Sequence, residues 1–184
     1  ASDVYKRQGQ MDYRPNEQAT LWVIEALMPQ LRARFPGAMF HIVGRNPTRA
    51  LMAHHASPGV HVWGEVPDVR PFIAAANVVL APLLIARGVQ NKVLEAMAMA
   101  RPVVLTPEAA TGIAAEDGTH WLACPPDPQA MAARIAAFLS DAEAPARIGG
   151  AARRFVLDHH GWEAMMAPLA GLLGMAGEGH RHAA

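Results

Sequence analysis

From Ala86 to Glu95 the chain reads Ala-Arg-Gly-Val-Gln-Asn-Lys-Val-Leu-Glu. These residue types, at this spacing, suit an anionic ligand that also carries hydroxyl groups. Gly88 allows close approach of the backbone. A helix beginning near Asn91 would present free N–H groups and the positive end of its dipole, which favour phosphate. Lys92 adds a full charge in that first turn, where a cation opposes the dipole, so its placement needs some return. Glu95 lies one turn on, on roughly the side of Asn91 and Lys92. A carboxylate repels phosphate but accepts hydrogen bonds from ribose hydroxyls. Spacing alone fits a solvated Lys–Glu pair on a surface helix at least as well.

The elements that must position this segment alternate. Leu21, Ile24, Leu27, Met28 and Leu31 recur at helical spacing after Asn16, a candidate cap, and Pro29 should kink or divide that helix. Strands are expected at Ala38 to Val43, Val60 to Trp63, Val78 to Leu83, Val103 to Thr106 and, short, at His120 to Cys124. Helices are expected from Pro47 to about His55, from Asp68 to Ala76, and after Asn91. Three more come later: from Asp127 to about Leu139, near Ala144 to His159, and near Gly161 to Leu173. Val78-Val79-Leu80 is apolar without alternation, as in a parallel strand buried on both faces. Strands alternating with helices predict an α/β, Rossmann-like parallel sheet with helices on both faces and extra helices at the C-terminus. In such sheets ligands lie beyond the carboxyl ends of the strands. That brings together the loops Gly44 to Pro47, Gly64 to Asp68, Pro82 to Asn91 and Thr106 to Gly112, and also Gly9 to Asn16 if a first strand precedes it. Thr111-Gly112 is a further lining candidate. GxGxxG and GxxxxGK[ST] do not occur, so neither a dinucleotide fingerprint nor a P-loop is supported.

With 184 residues, 52% of them hydrophobic, the chain has material for one domain with a sizeable core. Lys+Arg and Asp+Glu both number 16, which lacks the basic excess of a nucleic-acid binder. A charged substrate must therefore be met by a few placed cations. The single cysteine, Cys124, excludes an internal disulfide framework and reads as a buried, inert thiol. The longest apolar run falls short of the roughly 18 residues of a membrane span. Residues 1–8 are polar and aperiodic and read as a linker or foreign segment, so an expected first strand is missing there or replaced. Residues 9–173 read as the domain and 174–184 as a disordered tail. The adjacent pairs His54-His55 and His159-His160 lack metal-ligand spacing, and Asp117 and His120 lack a nucleophile partner.

Leu94-Glu95-Ala96-Met97-Ala98 followed by Arg101-Pro102-Val103-Val104 resembles the "LEAMA-x-G-x-PVV" signature of retaining GT-B glycosyltransferases of the large GT4 family. Further matches stand in the same order. They are Gln10 to Asn16 ("MD-aromatic-x-PN"), Phe40 to Gly44 ("xxIVG"), Val62 to Asp68 ("xxGxVxD"), Asn77 to Pro82 ("A-[DN]-VxxxP") and Gly161-Trp162-Glu163. The set covers about Gly9 to Leu173. "MDYRPN" combined with "ARGVQNKVLEAMAMARPVV" is most similar to sugar transferases associated with exosortase (PEP-CTERM) exopolysaccharide systems.

The resemblance implies an NDP-sugar donor site. Glu95 matches the second glutamate of an E-x7-E motif and would hold the ribose. Gly88, Gln90, Asn91 and Lys92 match the loop and helix start at the donor diphosphate, and Arg14 lies in a loop that supplies it a cation. Gly44 and Arg45 lie beside the nucleoside, and Val66 matches the turn whose backbone reads the base. No metal and no cofactor are implied, since the nucleotide sugar is a substrate and helix ends with Arg and Lys balance the leaving diphosphate. Eight residues before Glu95 stands Arg87, where the wider family has its first glutamate. Arg87 is thus a candidate contact to the donor phosphate or to an anionic sugar.

The match begins at about the crossover between the two GT-B domains. The resemblance therefore implies a missing N-terminal acceptor domain as partner, a full-length transferase, and an inactive isolated chain. With no membrane span or signal peptide visible in the sequence, a cytoplasmic location is expected, with peripheral association at the inner face of the membrane left open. Two other readings are a non-catalytic α/β module binding a nucleotide or a partner protein, and an NDP-sugar epimerase of the same fold. The second would demand acid/base carboxylates and histidines that the sequence does not place.

Overall fold

The computed structural model describes residues 4–161 and residue 166, with side chains from residue 10 onward. The helix expected near Gly161 to Leu173 and the tail from residue 174 lie almost wholly outside the described residues.

Six parallel strands form one sheet in the order β3-β2-β1-β4-β5-β6. They are β1 (Val4–Gln10), β2 (Met39–Arg45), β3 (Val60–Gly64), β4 (Val78–Ala81), β5 (Val103–Leu105) and β6 (Leu122–Ala123). The helices are α1 (Arg14–Trp22), α2 (Met28–Arg34), α3 (Arg49–Ala53), α4 (Arg70–Ala75), α5 (Asn91–Ala98), α6 (Pro128–Ser140) and α7 (Ala144–His160). This is the doubly wound, Rossmann-like arrangement that the alternation predicts.

Strand periodicity divides the core in two. Val78 and Leu80 join Phe40, Ile42, Val104 and the α2 and α6 side chains on one face. Val79 and Ala81 join Val103, Leu105 and the α5 side chains Val93, Ala96 and Met97 on the other. Consecutive residues of β4 point to opposite faces, and all four are buried.

Four expectations shift. Val4–Gln10 is a strand, paired with β2 along its whole length and with β4 at Tyr5 and Lys6. Part of residues 1–8, read as a linker or foreign segment, thus occupies a central slot of the sheet. Its composition gave no hint, because backbone hydrogen bonds on both sides hold a strand whatever its side-chain pattern. Asn16 does not cap the first helix, which begins at Arg14 with Tyr13 as N-cap and Pro15 in the first turn, a position where the missing proline N–H costs nothing. The expected division at Pro29 takes the form of a π-helical stretch, Val23–Leu27, closed by the Met28 N–H on the Val23 carbonyl. A proline ring crowds the carbonyl four residues earlier, and the wider turn relieves this. Side-chain caps stand at two helices, where Thr48 Oγ1 accepts from Leu51 N and Asp127 Oδ1 from Ala130 N. Asp68, expected to cap α4, lies one residue before its N-cap Val69 and accepts from Arg70 N instead.

Helix α5 ends in a closed turn. Ala100 N–H reaches Met97 O at 2.9 Å and Arg101 N–H reaches Ala96 O at 3.0 Å. This is the paired closure of a Schellman motif. It holds Ala100 in a left-handed conformation, φ 55°, where glycine is usual. Helix α7 crosses that turn at Gly149, where an added Cβ would stand 2.2 Å from Ala100 O; at Gly150 the nearest atom is Arg154 Nη1 at 3.9 Å. Gly149→Ala is expected to destabilise the chain by about 1–3 kcal/mol through overpacking. Gly150→Ala should gain about 0.5–1 kcal/mol of helix propensity. Urea denaturation of both variants measures the difference, and equal effects would contradict the crossing described.

Candidate functional site

β1 and β4 are neighbours in the sheet, yet the chain leaves β1 toward β2 on one side and returns to β4 on the other. At such a switch point the connections diverge and leave a crevice beyond the carboxyl ends. The turn after Gln10 and the loop from Pro82 to Gln90 form its two banks.

Asn16 joins them. It is 7% exposed, its Nδ2 donates to Gln10 O at 2.9 Å, and its Oδ1 accepts from Lys92 Nζ at 2.7 Å. One amide thus fixes the end of β1, the first turn of α1 and the first turn of α5. Thr106 secures the same loop from beneath, its buried Oγ1 donating to Leu83 O at 2.5 Å. Gly88 takes a φ of 66°, which a side chain would resist. Gln90, the N-cap of α5, makes no side-chain cap and instead donates from Nε2 to Gly88 O at 3.1 Å. The start of α5 is therefore left to backbone and Lys92.

Two cavities flank the Gln10–Asn16 turn. One, of ≈ 80 Å³, has Tyr13, Asn16, Leu83, Arg87 and Gln90 among its walls. The other, of ≈ 270 Å³, is lined by Gln10, Gly44, Arg45, Glu65 and Val66, with Val43 and Val69 as its apolar floor. Arg87 and Gln90 thus fall in the first, and Gly44, Arg45 and Val66 in the second. Asn91 and Glu95 lie exposed on α5, and Arg14 is exposed at the start of α1, lining neither cavity. Gly112 backs the Gly88-Val89 turn, where an added Cβ would be 3.1 Å from Val89 Cγ2. Tyr13, Asn16, Glu65 and Thr106 lie in the loops that the strand-end rule brings to the site, but sequence assigns none of them an individual role there. Thr106, polar at the end of an apolar strand, carried the one local signal.

The residues set aside from the sequence prove structural. Asp117 Oδ1 accepts from Arg134 Nη2 at 2.6 Å and from Ala123 N at 2.8 Å, while Arg134 also donates to Ala123 O. Partial burial works against the Asp117 carboxylate, but the bonds from Arg134 and Ala123 outweigh it and hold its pKa below the usual value. His120 Nδ1 accepts from Glu116 N at 3.0 Å. His54 approaches Glu25 at 3.8 Å, and the His159 ring stacks on Phe155. Cys124 is buried and its thiol is pushed up by that burial. Among the described residues, no group of three or more His, Cys, Asp or Glu side chains is placed to hold a metal ion. No described helix is long and apolar enough to cross a membrane.

The sequence model described as glycosyl transferases group 1 matches residues 8–141. The chain belongs to this family. No curated protein sequence matches it significantly. Solved structures place this glycosyl transferase group 1 chain in the same fold as the C-terminal domain of the group 1 family protein LpcC from Francisella tularensis. The two are 16% identical over 84% of each chain, with a TM-score of 0.66. Anabaena HepE in complex with UDP-glucose is 17% identical, with a TM-score of 0.76 over 95% of this chain and 49% of that one. Sucrose-phosphate synthase from Thermosynechococcus elongatus is 22% identical, with a TM-score of 0.72 over 96% and 46%. The likeness at these identities is one of fold, the Rossmann-like domain of GT-B glycosyltransferases. The chain spans about half the length of the last two.

Asn16→Ala removes both the acceptor of Lys92 and the donor to Gln10 O. It is expected to cost about 1–3 kcal/mol, because two hydrogen bonds of a buried amide are lost. Lys92→Met should cost less, since it breaks one of these two bonds and leaves the other in place. Urea midpoints of the two variants check this, and a neutral Asn16→Ala would contradict the tie between the banks.

Proposed function

We propose that this chain is the donor-binding half of a retaining, metal-independent glycosyltransferase acting in exopolysaccharide or cell-envelope glycan synthesis, of the exosortase-associated type. The observation that carries the proposal is the switch-point crevice itself. There an uncapped helix start, a lysine held by Asn16 and the Gly88 turn stand beside a cavity walled by Gly44, Arg45 and Val66. The family membership and the UDP-glucose bound to HepE support a nucleotide sugar as ligand.

In this reading the ≈ 270 Å³ cavity takes the nucleoside, with Gly44 and Arg45 beside it and the Val66 backbone at the base. The diphosphate lies at Gly88, Gln90, Asn91 and Lys92, with Arg14 as a further cation, and Glu95 accepts from the ribose hydroxyls. As the glycosidic bond breaks, negative charge grows on the leaving diphosphate. Lys92 and the α5 start, fixed beforehand, stabilise that charge without reorganising. Metal ions are not required for this. Acceptor binding and the rest of the catalytic apparatus belong to a partner domain, which the full-length enzyme supplies at the cytoplasmic membrane face. The isolated 184 residues bind donor without transferring sugar.

Calorimetric titration of UDP, GDP and ADP, with and without EDTA, tests the reading. One nucleoside diphosphate should bind regardless of chelator. Glu95→Ala should weaken it by roughly 10–100-fold, the equivalent of about 1.5–3 kcal/mol for a charged hydrogen bond. Absence of binding by all three would favour a protein-binding module instead.

Arg87 lines the smaller cavity with Gln90 and Asn16, and we assign it to the donor phosphate or an anionic sugar. Arg87→Ala should reduce turnover in the full-length enzyme at least about tenfold, as loss of one charge-assisted contact does. Unchanged donor affinity and turnover would remove this assignment.

A further inference from the structure

Two opposite charges, Arg45 and Glu65, stand on the wall of the ≈ 270 Å³ cavity, over a floor of Val43 and Val69. The backbone brings them to the same rim. Arg45 is the last residue of β2, where its carbonyl accepts from Met11 N at 2.8 Å. The ladder between β2 and β3 pairs Ile42 with Val62 but Val43 with Gly64, so Trp63 is an extra residue on β3. Such a bulge bends its strand and re-aims the residues that follow. Gly64 then takes a φ of 71°, and the chain carries Glu65 and Val66 along the cavity.

Neither charge is spent within the protein. Among the described residues, the Arg45 and Glu65 side chains have no hydrogen bond or ion pair, with each other or with a third group. The neighbouring acid of the same turn differs, since Asp68 is paired with Arg70 at 3.0 Å. A carboxylate beside a diphosphate site opposes the charge of the ligand unless the ligand brings it hydrogen-bond donors. Ribose hydroxyls are one source, and Glu95 is assigned to them above. The base is the other.

Bases differ in what they offer such a pair. Guanine carries N1–H and its 2-amino group side by side, two donors that match the two oxygens of a carboxylate. It also carries O6 and N7 side by side, two acceptors that match the guanidinium fork. Uracil has one N–H between two carbonyls, and adenine sets its amino group between two ring acceptors. Neither presents two adjacent donors. We propose that Glu65 and Arg45 select guanine, so that the donor is a GDP-sugar; this rests on the reading of the chain as a donor-binding domain. Glu65 accepts from N1–H and the 2-amino group, Arg45 donates to O6 and N7, and the ring lies against Val43 and Val69.

Calorimetric titration of the 184-residue chain with GDP, IDP, UDP and ADP tests the proposal. GDP should bind most tightly, with UDP and ADP weaker by about tenfold or more, the discrimination of one good bidentate pair. IDP, which lacks only the 2-amino group, should bind less tightly than GDP. Glu65 is exposed, so Glu65→Gln should leave the Tm unchanged. It should lower GDP affinity about tenfold, remove most of the difference between GDP and IDP, and leave UDP binding as it was. Tighter binding of UDP or ADP than of GDP overturns guanine selection and leaves the donor domain standing. So does equal binding of GDP and IDP, GDP binding unchanged in Glu65→Gln, or an equal loss for UDP in that variant. Binding of none of the four overturns the donor reading itself.

Discussion

The hydrogen bond between Asn16 and Lys92 spans the one place where the sheet changes direction. Residues 76 positions apart meet there because β1 and β4 are neighbours in a parallel sheet and their connections leave on opposite sides. A parallel sheet imposes this: each strand delivers its loop at the same end, and only at the switch point does a gap remain between loops. Every feature assigned to the donor crevice hangs on that gap. Lys92 opposes the dipole of the helix that carries it, and the amide of Asn16 gives the ammonium a fixed partner without cancelling its charge. A carboxylate in place of Asn16 would neutralise the cation proposed for phosphate; an aliphatic residue would take this partner away.

Much of this was legible in the sequence. β4 announces itself as an apolar run buried on both faces, and α5 as a helix with Val93, Leu94, Met97 and Ala98 on its inward side. Val93 and Met97 are buried as expected, joined by Ala96, while Leu94 and Ala98 are only partly buried. The order of the elements alone implied the sheet and the end at which ligand is expected. The position of Arg87, Gln90, Gly44, Arg45 and Val66 on cavity walls agrees with the same rule about strand ends.

What was not legible depended on contacts between distant segments. Asn16 has the residue type of a cap, and only the earlier helix start at Arg14 turns its side chain back toward Gln10 and Lys92. β1 carries Lys, Arg and Gln where a central strand is expected to be apolar, so nothing in its own pattern separates it from a linker. The π-helical stretch at Val23–Leu27 could be located from Pro29 but not specified, because a kink, a break and a widened turn all relieve the same clash.

If the donor crevice is where it is placed here, nucleoside diphosphate lies at the switch point, across the Gln10–Asn16 turn. Amide chemical-shift mapping of the ¹⁵N-labelled chain during titration with UDP, GDP and ADP tests this most directly. Perturbations are expected to concentrate at Gly44, Arg45, Val66 and Gly88 to Glu95 with at least one of the three. Perturbations centred on the outer edge of β3 or around Arg101, or no perturbation by any of them, would contradict it.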